Sequence, residues 1–349
     1  MDQQSYHKAL IAPLRQAMYN FSAPQVKRAM MHLLASDCRV HMPYPMGDMV
    51  GPEALYDLCY APLFQALPDL ERRDFIVMAG ATEEGDSWVA CCGHYLGTSI
   101  FPWLDIPATG QFTHMRFHEF YRLHENQVVE VQILWDIPEV MMQANAWPMA
   151  PALGWQGLVP GPASQDGLLV SPYDGPQAQA SCNHIVQMLE HMTRHPSQGG
   201  PKVMQMERFW HPRMNWYGPA GIGTGRGFSG FRNWHQKPFL QAMPDRGQNS
   251  AGTASHFFAD ANYVAVTGWP NMRQTISQDG WMGIAPAGQV ITMCSLDFWR
   301  IEAGLIRENW VLVDLLDVYR QLGVDVFARL RQFNQARVPG SVDFTLGDL

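Results

Sequence analysis

One unusual phrase occurs twice in this chain: "PLFQALPD" runs from Pro62 to Asp69 and "PFLQAMPD" from Pro238 to Asp245. The repeat extends well beyond the phrase. Gly51 pairs with Gly227, Val89-Ala90 with Val264-Ala265, and Gly93 with Gly268. "IPATGQ" (Ile106 to Gln111) pairs with "IAPAGQ" (Ile284 to Gln289). The closing stretches then run in step through Phe120/Phe298, Arg122/Arg300, Glu130/Glu308, Leu134/Leu312, Asp136/Asp314, Val140/Val318 and Gln143/Gln321. Two units of this length are too long for solenoid repeats, so they read as tandem globular domains. A chain of 349 residues also exceeds the size at which one hydrophobic core usually keeps growing.

The first domain is expected over 1–150 and the second over 173–349. Between them, 151–172 is rich in Pro, Gly and Ala with no helical or strand period, as in a linker or ordered arm. Each copy begins with helical text, Tyr6 to Asn20 and Pro24 to Leu34 in the first and Ala178 to His195 in the second. A short strand, a Gly-rich loop and the helix carrying the repeated phrase come next. Pro62 and Pro238 suit a kink or a first helical turn, and Pro68 and Pro244 stop the helix, because the residue before a proline is pushed out of the α region. Helices followed by an antiparallel meander predict an α+β fold.

Composition narrows the function. Charged residues are only 16% and apolar residues 47%, so much of the surface must be an interface or an apolar cavity. A net charge of −8 without a basic run argues against nucleic acid as a partner. The start lacks the basic and apolar regions of a signal peptide, and no apolar run is long enough for a bilayer. Six cysteines without C-x-x-C spacing suit reduced thiols and a cytoplasmic location. "GRGFSG" (Gly225 to Gly230) matches a dinucleotide fingerprint, but its context is not strand–turn–helix. His114 and His118 share a strand face without a third ligand, so no metal is expected. His184, His191 and His195 share one helix and read as solvated or interface residues.

"AxPD" closing a helix, "GDSWVA" (Gly85 to Ala90), "PATG" (Pro107 to Gly110) and the stretch from Arg300 to Gly323 resemble SnoaL-like polyketide cyclases of the nuclear-transport-factor-2-like superfamily. The resemblance covers about two thirds of each copy and implies two cone-shaped α+β barrels. In each, a curved antiparallel sheet wraps around helices and encloses an apolar pocket. The fold hosts isomerases, dehydratases, epoxide hydrolases and non-enzymatic binders. The cyclases place a catalytic aspartate where this chain has Ile133 and Val311, and a histidine where it has Glu119 and Asp297, so the family's catalytic pair is missing from both copies.

The resemblance therefore implies a small, apolar, carbonyl-bearing ligand and acid–base cyclase, isomerase or dehydratase chemistry without a cofactor. The alternatives are a non-catalytic binder and an epoxide-type hydrolase. Four acids are catalytic candidates. Asp297, on the strand next to the missing aspartate and roughly opposite Asn309, is a displaced acid or an outward-facing residue. Glu119 is the same or a partner of Arg116 and Arg122. Asp136 and Asp314 stand before helical tails, as catalysts or as N-caps. His41, Tyr44, His94, Asn215, Tyr217, Trp269, Asn309 and Trp310 are the ligand-binding candidates, with Trp216 and Trp299 as further aromatics. Copy two keeps the fuller family text and is favoured as the active one. Single cones of this family often pair through their sheets, and the fused copies are expected to make that contact internally as a pseudo-dimer.

Overall fold

The computed structural model describes residues 2–278, 280–285 and 288–336. The chain opens with helices α1 (Gln3–Tyr19) and α2 (Ala23–Leu33). Helix α1 starts earlier than Tyr6 because the Asp2 side chain accepts the Ser5 amide at 2.8 Å, supplying one of the orphan partners of a first turn. The second copy opens on the helix Gly175–Met192, which Asp174 caps in the same way through Gln177. Apolar residues at helical spacing, Ile11, Leu14 and Met18 in α1 and Ile185, Met188 and Met192 in its counterpart, turn one stripe of each helix into its cone.

The phrase-bearing helix is broken identically in both copies. Pro52–Leu55 leads into a π-helical turn, Tyr56–Tyr60, and then Ala61–Ala66. In copy two the pieces are Gly227–Phe231, Arg232–Gln236 and Lys237–Ala242. Pro62 and Pro238 sit in the first turn of the last piece, where a missing N–H costs little. Leu67 and Met243, each before a proline, leave the helical region.

Each copy then contributes a six-stranded sheet. In copy one, β1 (Leu34–His41), β2 (Asp48–Val50), β3 (Glu71–Ala81), β4 (Ser87–Thr98), β5 (Phe112–His124) and β6 (Gln127–Trp135) take the order β2-β1-β6-β5-β4-β3. In copy two, β7 (Trp210–Tyr217), β8 (Thr224–Arg226), β9 (His256–Asp260), β10 (Tyr263–Thr267), β13 (Ser295–Glu302) and β14 (Leu305–Val313) repeat it. The Gly-rich loops hold the short edge strands β2 and β8. The sheets are mixed rather than purely antiparallel, since β1 pairs with β6 and β7 with β14 in parallel. They are curved and open, not closed barrels.

The copies differ at one place. Strands β4 and β5 run without a break, whereas copy two splits the corresponding ladder into β10 and β13 plus a separate hairpin, β11 (Met272–Ile276) and β12 (Gln289–Met293). Gly268 and Pro270 explain the split. Proline has no N–H for a ladder. A side chain at Gly268 would run into the Ala254 carbonyl, and its φ of +152° sits at the edge of what other residues adopt.

The two sheets pack back to back. Ile76, Trp88, Phe120 and Leu134 from one meet Phe258, Phe298, Trp310 and Leu312 from the other in a single buried cluster. Segment 151–172 is an ordered arm. Its Gly154 amide donates to Ile222, Pro160 accepts from the Trp310 indole at 3.0 Å, and Leu168 bridges to Val77. No helix among the described residues is long and apolar enough to cross a membrane.

Candidate functional site

Strand alternation fixes which residues face each cone. On β5 and β13 the positions Phe117/Ser295, Glu119/Asp297 and Tyr121/Trp299 point inward. Their cross-strand partners are Trp135/Val313, Ile133/Val311 and Val131/Asn309. Asp297 therefore stands directly opposite Val311, not Asn309. The two-residue turn at Ala303–Gly304 and a register shift after Arg300 set the pairing. The acid sits across the ladder from the position where the cyclases carry theirs, and Glu119 does the same opposite Ile133.

The two acids live in different surroundings. Glu119 is wholly enclosed, at 0% exposure. Its carboxylate accepts hydrogen bonds from Tyr60 (2.9 Å), Tyr95 (2.7 Å) and Tyr121 (2.6 Å) and an ion-paired bond from Arg72 at 2.5 Å. Burial together with the adjacent carboxylate holds all three phenols well above their ordinary range. Arg116 and Arg122, expected as its partners, lie on the opposite face. Arg116 crosses to the other sheet, donating to the carbonyls of Tyr217, Gly218 and Val311 at 3.1, 2.6 and 3.0 Å. Arg122 pairs with Glu130 as Arg300 pairs with Glu308. Side chains fill the first cone, and its carboxylate has no free lone-pair direction facing a ligand.

In the second cone four of the five corresponding side chains are smaller and one, Trp299, is larger. Tyr60, Tyr95, Phe117, Tyr121 and Trp135 correspond to Gln236, Met272, Ser295, Trp299 and Val313. Here a cavity of about 90 Å³ opens into a vestibule of about 390 Å³, and Asp297, Ser295, Trp299, Met272 and Arg246 border both. Asp297 keeps one side-chain hydrogen bond, from Ser295 at 2.6 Å. Burial pushes its carboxyl up to about 7, against the opposing pull of Ser295 and Arg246. Trp210, Trp216, Phe231 and Phe239 wall the inner chamber. His235, on the π-helical turn, stacks on Trp216 with ring centres 4.0 Å apart. Burial brings its pKa down to about 3, so the ring is neutral, and its Nδ1 has no partner among the described residues. Asn309 also lines the chamber and donates to Phe298 at 2.9 Å, which leaves its amide a second N–H.

Of the sequence candidates, the structure brings together Asp297 and Asn309. Asp136 and Asp314 form a reciprocal contact between the copies. Asp136 accepts the Ala220 amide at 2.9 Å, and Asp314 accepts the Tyr44 amide at 2.9 Å. Ala220 and Tyr44 are counterparts, so the arrangement is two-fold in character. Asp314 also caps its helix through Asp317, whereas the Asp136 side chain makes no cap bond. Burial raises both carboxyls. His41 of copy one stacks on Trp269 of copy two at 5.6 Å and bonds Asp48. The Tyr44 ring rests against Phe327. His94 is buried beside Phe75 and His114, and burial brings its pKa down to about 4. Asn215 accepts from Arg226. Tyr217 and Trp310 belong to the contact between the sheets, not to the chamber. Sequence reasoning missed His235, Arg246 and Ser295. Their signal was comparison of the copies, since Arg246 follows the repeated phrase directly where copy one has Leu70. No group of three or more His, Cys, Asp or Glu among the described residues is arranged to hold a metal.

The model of SnoaL-like polyketide cyclases matches residues 12–144 and again 198–322. No curated protein matches the chain. Among solved structures, a candidate SnoaL-like polyketide cyclase of Jannaschia sp. CCS1 is 21% identical, with 41% of this chain covering 95% of that one and a TM-score of 0.35. AclR, a candidate hydroxylase of Streptomyces galilaeus, is 17% identical over 40% of this chain and 85% of its own, with a TM-score of 0.34. IdmH, a candidate polyketide cyclase of Streptomyces antibioticus, is 18% identical over 40% and 97%, with a TM-score of 0.33.

Proposed function

Because the chain belongs to the SnoaL-like polyketide cyclase family in both of its copies, we propose that its second cone is an acid–base active site and its first a filled structural copy. Asp297 is the general base. The observation that carries this reading is a carboxyl held at about 7 by burial on the wall of an apolar chamber, where a base is poised near neutral pH. The ligand is a flat, largely apolar ketone or polyketone stacked among Trp210, Trp216 and Trp299.

The ionised Asp297 takes a proton from the carbon next to the ligand carbonyl. The C–H electron pair passes into an enolate, whose oxygen is met by the Asn309 amide and the neutral His235 ring. A conjugated enolate takes the proton back from Asp297 at a different carbon, giving an isomer, or the enolate carbon bonds to a second carbonyl carbon of the same molecule. In the second case the new alkoxide takes the proton back from Asp297 and the ring is closed. Neither route changes oxidation state. Ser295 holds the carboxylate in place.

The test is exchange of the methyl protons of 2-acetonaphthone in heavy water, followed by NMR. The protein should accelerate exchange, and Asp297→Asn should remove about 100-fold or more of the acceleration, with Glu119→Gln leaving it intact. Exchange no faster than in buffer, or undiminished in Asp297→Asn, would overturn the assignment and leave the cone a binding site.

A further inference from the structure

The inner chamber and the vestibule differ in character. The chamber is walled by rings. The vestibule is lined by Asn249, Ser250, Thr253 and Asn271 and by two guanidinium groups, Arg246 and Arg273. Arg246 borders both spaces and makes no ion pair or side-chain hydrogen bond among the described residues. The one opposing charge that acts on it is Asp297. Its guanidinium lies over the Phe239 ring at 5.9 Å. The Nε of Arg273 is enclosed without a partner, and its terminal nitrogen reaches only the Ala251 carbonyl, at 3.4 Å.

Both arginines are partly buried and neither has an ion-pair partner among the described residues, an arrangement that costs the fold something, since a buried charge is tolerated when something pairs with it. Nothing in the duplicated architecture requires them. The corresponding residues of the filled cone are Leu70 and Leu96, the second fixed by register, because Leu96 pairs with His114 as Arg273 pairs with Thr292. The two arginines thus stand only in the copy whose cone is open. The acidic groups bordering the vestibule are Asp297, at its inner end, and Glu190, exposed on the helix Gly175–Met192. Neither is bonded to either arginine. Guanidinium forks suit planar or tetrahedral oxyanions.

We propose that the ligand of this cone carries an acidic oxyanion, a carboxylate or a phosphate, at the end opposite its apolar ring, and that Arg246 and Arg273 hold it in the vestibule. This rests on the reading of the second cone as the substrate site. It fixes the direction of binding: ring inward, acid outward, and the carbon next to the carbonyl beside Asp297 between them. The arginines are binding residues and Asp297 the reacting one.

The test is binding alone, so it stands apart from turnover. Quenching of tryptophan fluorescence is titrated with 2-naphthoate, 2-naphthyl phosphate and the neutral 2-naphthamide. At least one anion should bind tenfold or more tighter than the amide, and the better of the two identifies the source of the oxyanion. Arg246→Met with Arg273→Met should bring the anion down to the affinity of the amide, while amide binding itself persists and reports an intact fold. Asp297→Asn should keep the anion preference even if it abolishes proton exchange. Equal affinity for anion and amide in the native protein, or a preference that survives the double substitution, would overturn the proposal.

Discussion

Asp297→Asn should make the protein more stable at high pH and change its response to pH in a calculable way. The carboxyl is held at about 7 in the folded protein against 3.8 for the ordinary group, a rise of about three units. Each unit corresponds to about 1.36 kcal/mol. Because the folded pKa is the higher one, the folded state binds more protons than the unfolded state between about pH 4 and pH 7, and stability is lost as pH rises through that window. Above it the ionised carboxylate costs at most about 4 kcal/mol, and asparagine removes that cost. The gain should shrink by roughly 2 to 3 kcal/mol between pH 8 and pH 5, where the native carboxyl has taken up its proton. Asp136 and Asp314, whose carboxyls are also raised by burial, titrate in both proteins and cancel in the difference. Urea unfolding of the two proteins at pH 8 and pH 5 measures it. A stability difference that is the same at both values would refute the placement of Asp297 in a desolvated chamber, whatever its sign.

Other substitutions separate the two cones. Glu119→Gln should destabilise by about 2 to 3 kcal/mol, because Arg72 and three buried phenols lose their shared carboxylate while Asp74 still pairs with Arg72, and should leave naphthamide affinity in the second cone unchanged; denaturant midpoints and fluorescence titration read the two effects. Val313→Trp restores the filler that Trp135 provides and should abolish naphthamide binding with the fold retained by circular dichroism. Asp136→Ala and Asp314→Ala should each cost about 1 to 3 kcal/mol by orphaning a buried amide, and together should make thermal unfolding of the copies separable in calorimetry.

The duplication was plain in the sequence because its markers are backbone requirements. A proline that ends a helix and a residue pair that aligns two strands survive as letters. The site was less legible. Asp297 could be named from its position against the missing aspartate, but which face it occupied could not, since parity along one strand has no sign until the sheet is placed. Trp310 and Tyr217 illustrate this: both read as pocket aromatics, and both turn out to bind one sheet to the other. Asp136 and Asp314 read as caps or catalysts because their partners, Ala220 and Tyr44, lie in the other copy, beyond any local pattern. Arg246 was visible as the residue at which the repeated phrase stops repeating, a difference between the copies rather than a shared feature.

The filled first cone has a consequence for how such a site can arise. In a pair of identical chains, every change that hollows one cone hollows its twin. Replacing large core side chains with small ones costs about 2 to 5 kcal/mol at each position, so four such replacements made twice would exceed the stability of an ordinary domain. Joining the copies in one chain breaks that symmetry. The cone packed with Tyr60, Tyr95, Phe117 and Trp135 keeps its core and presents an intact sheet to its neighbour, and the neighbour is free to exchange core for cavity. The fusion thus acts as ballast: half of the molecule stays dense so that the other half can be open.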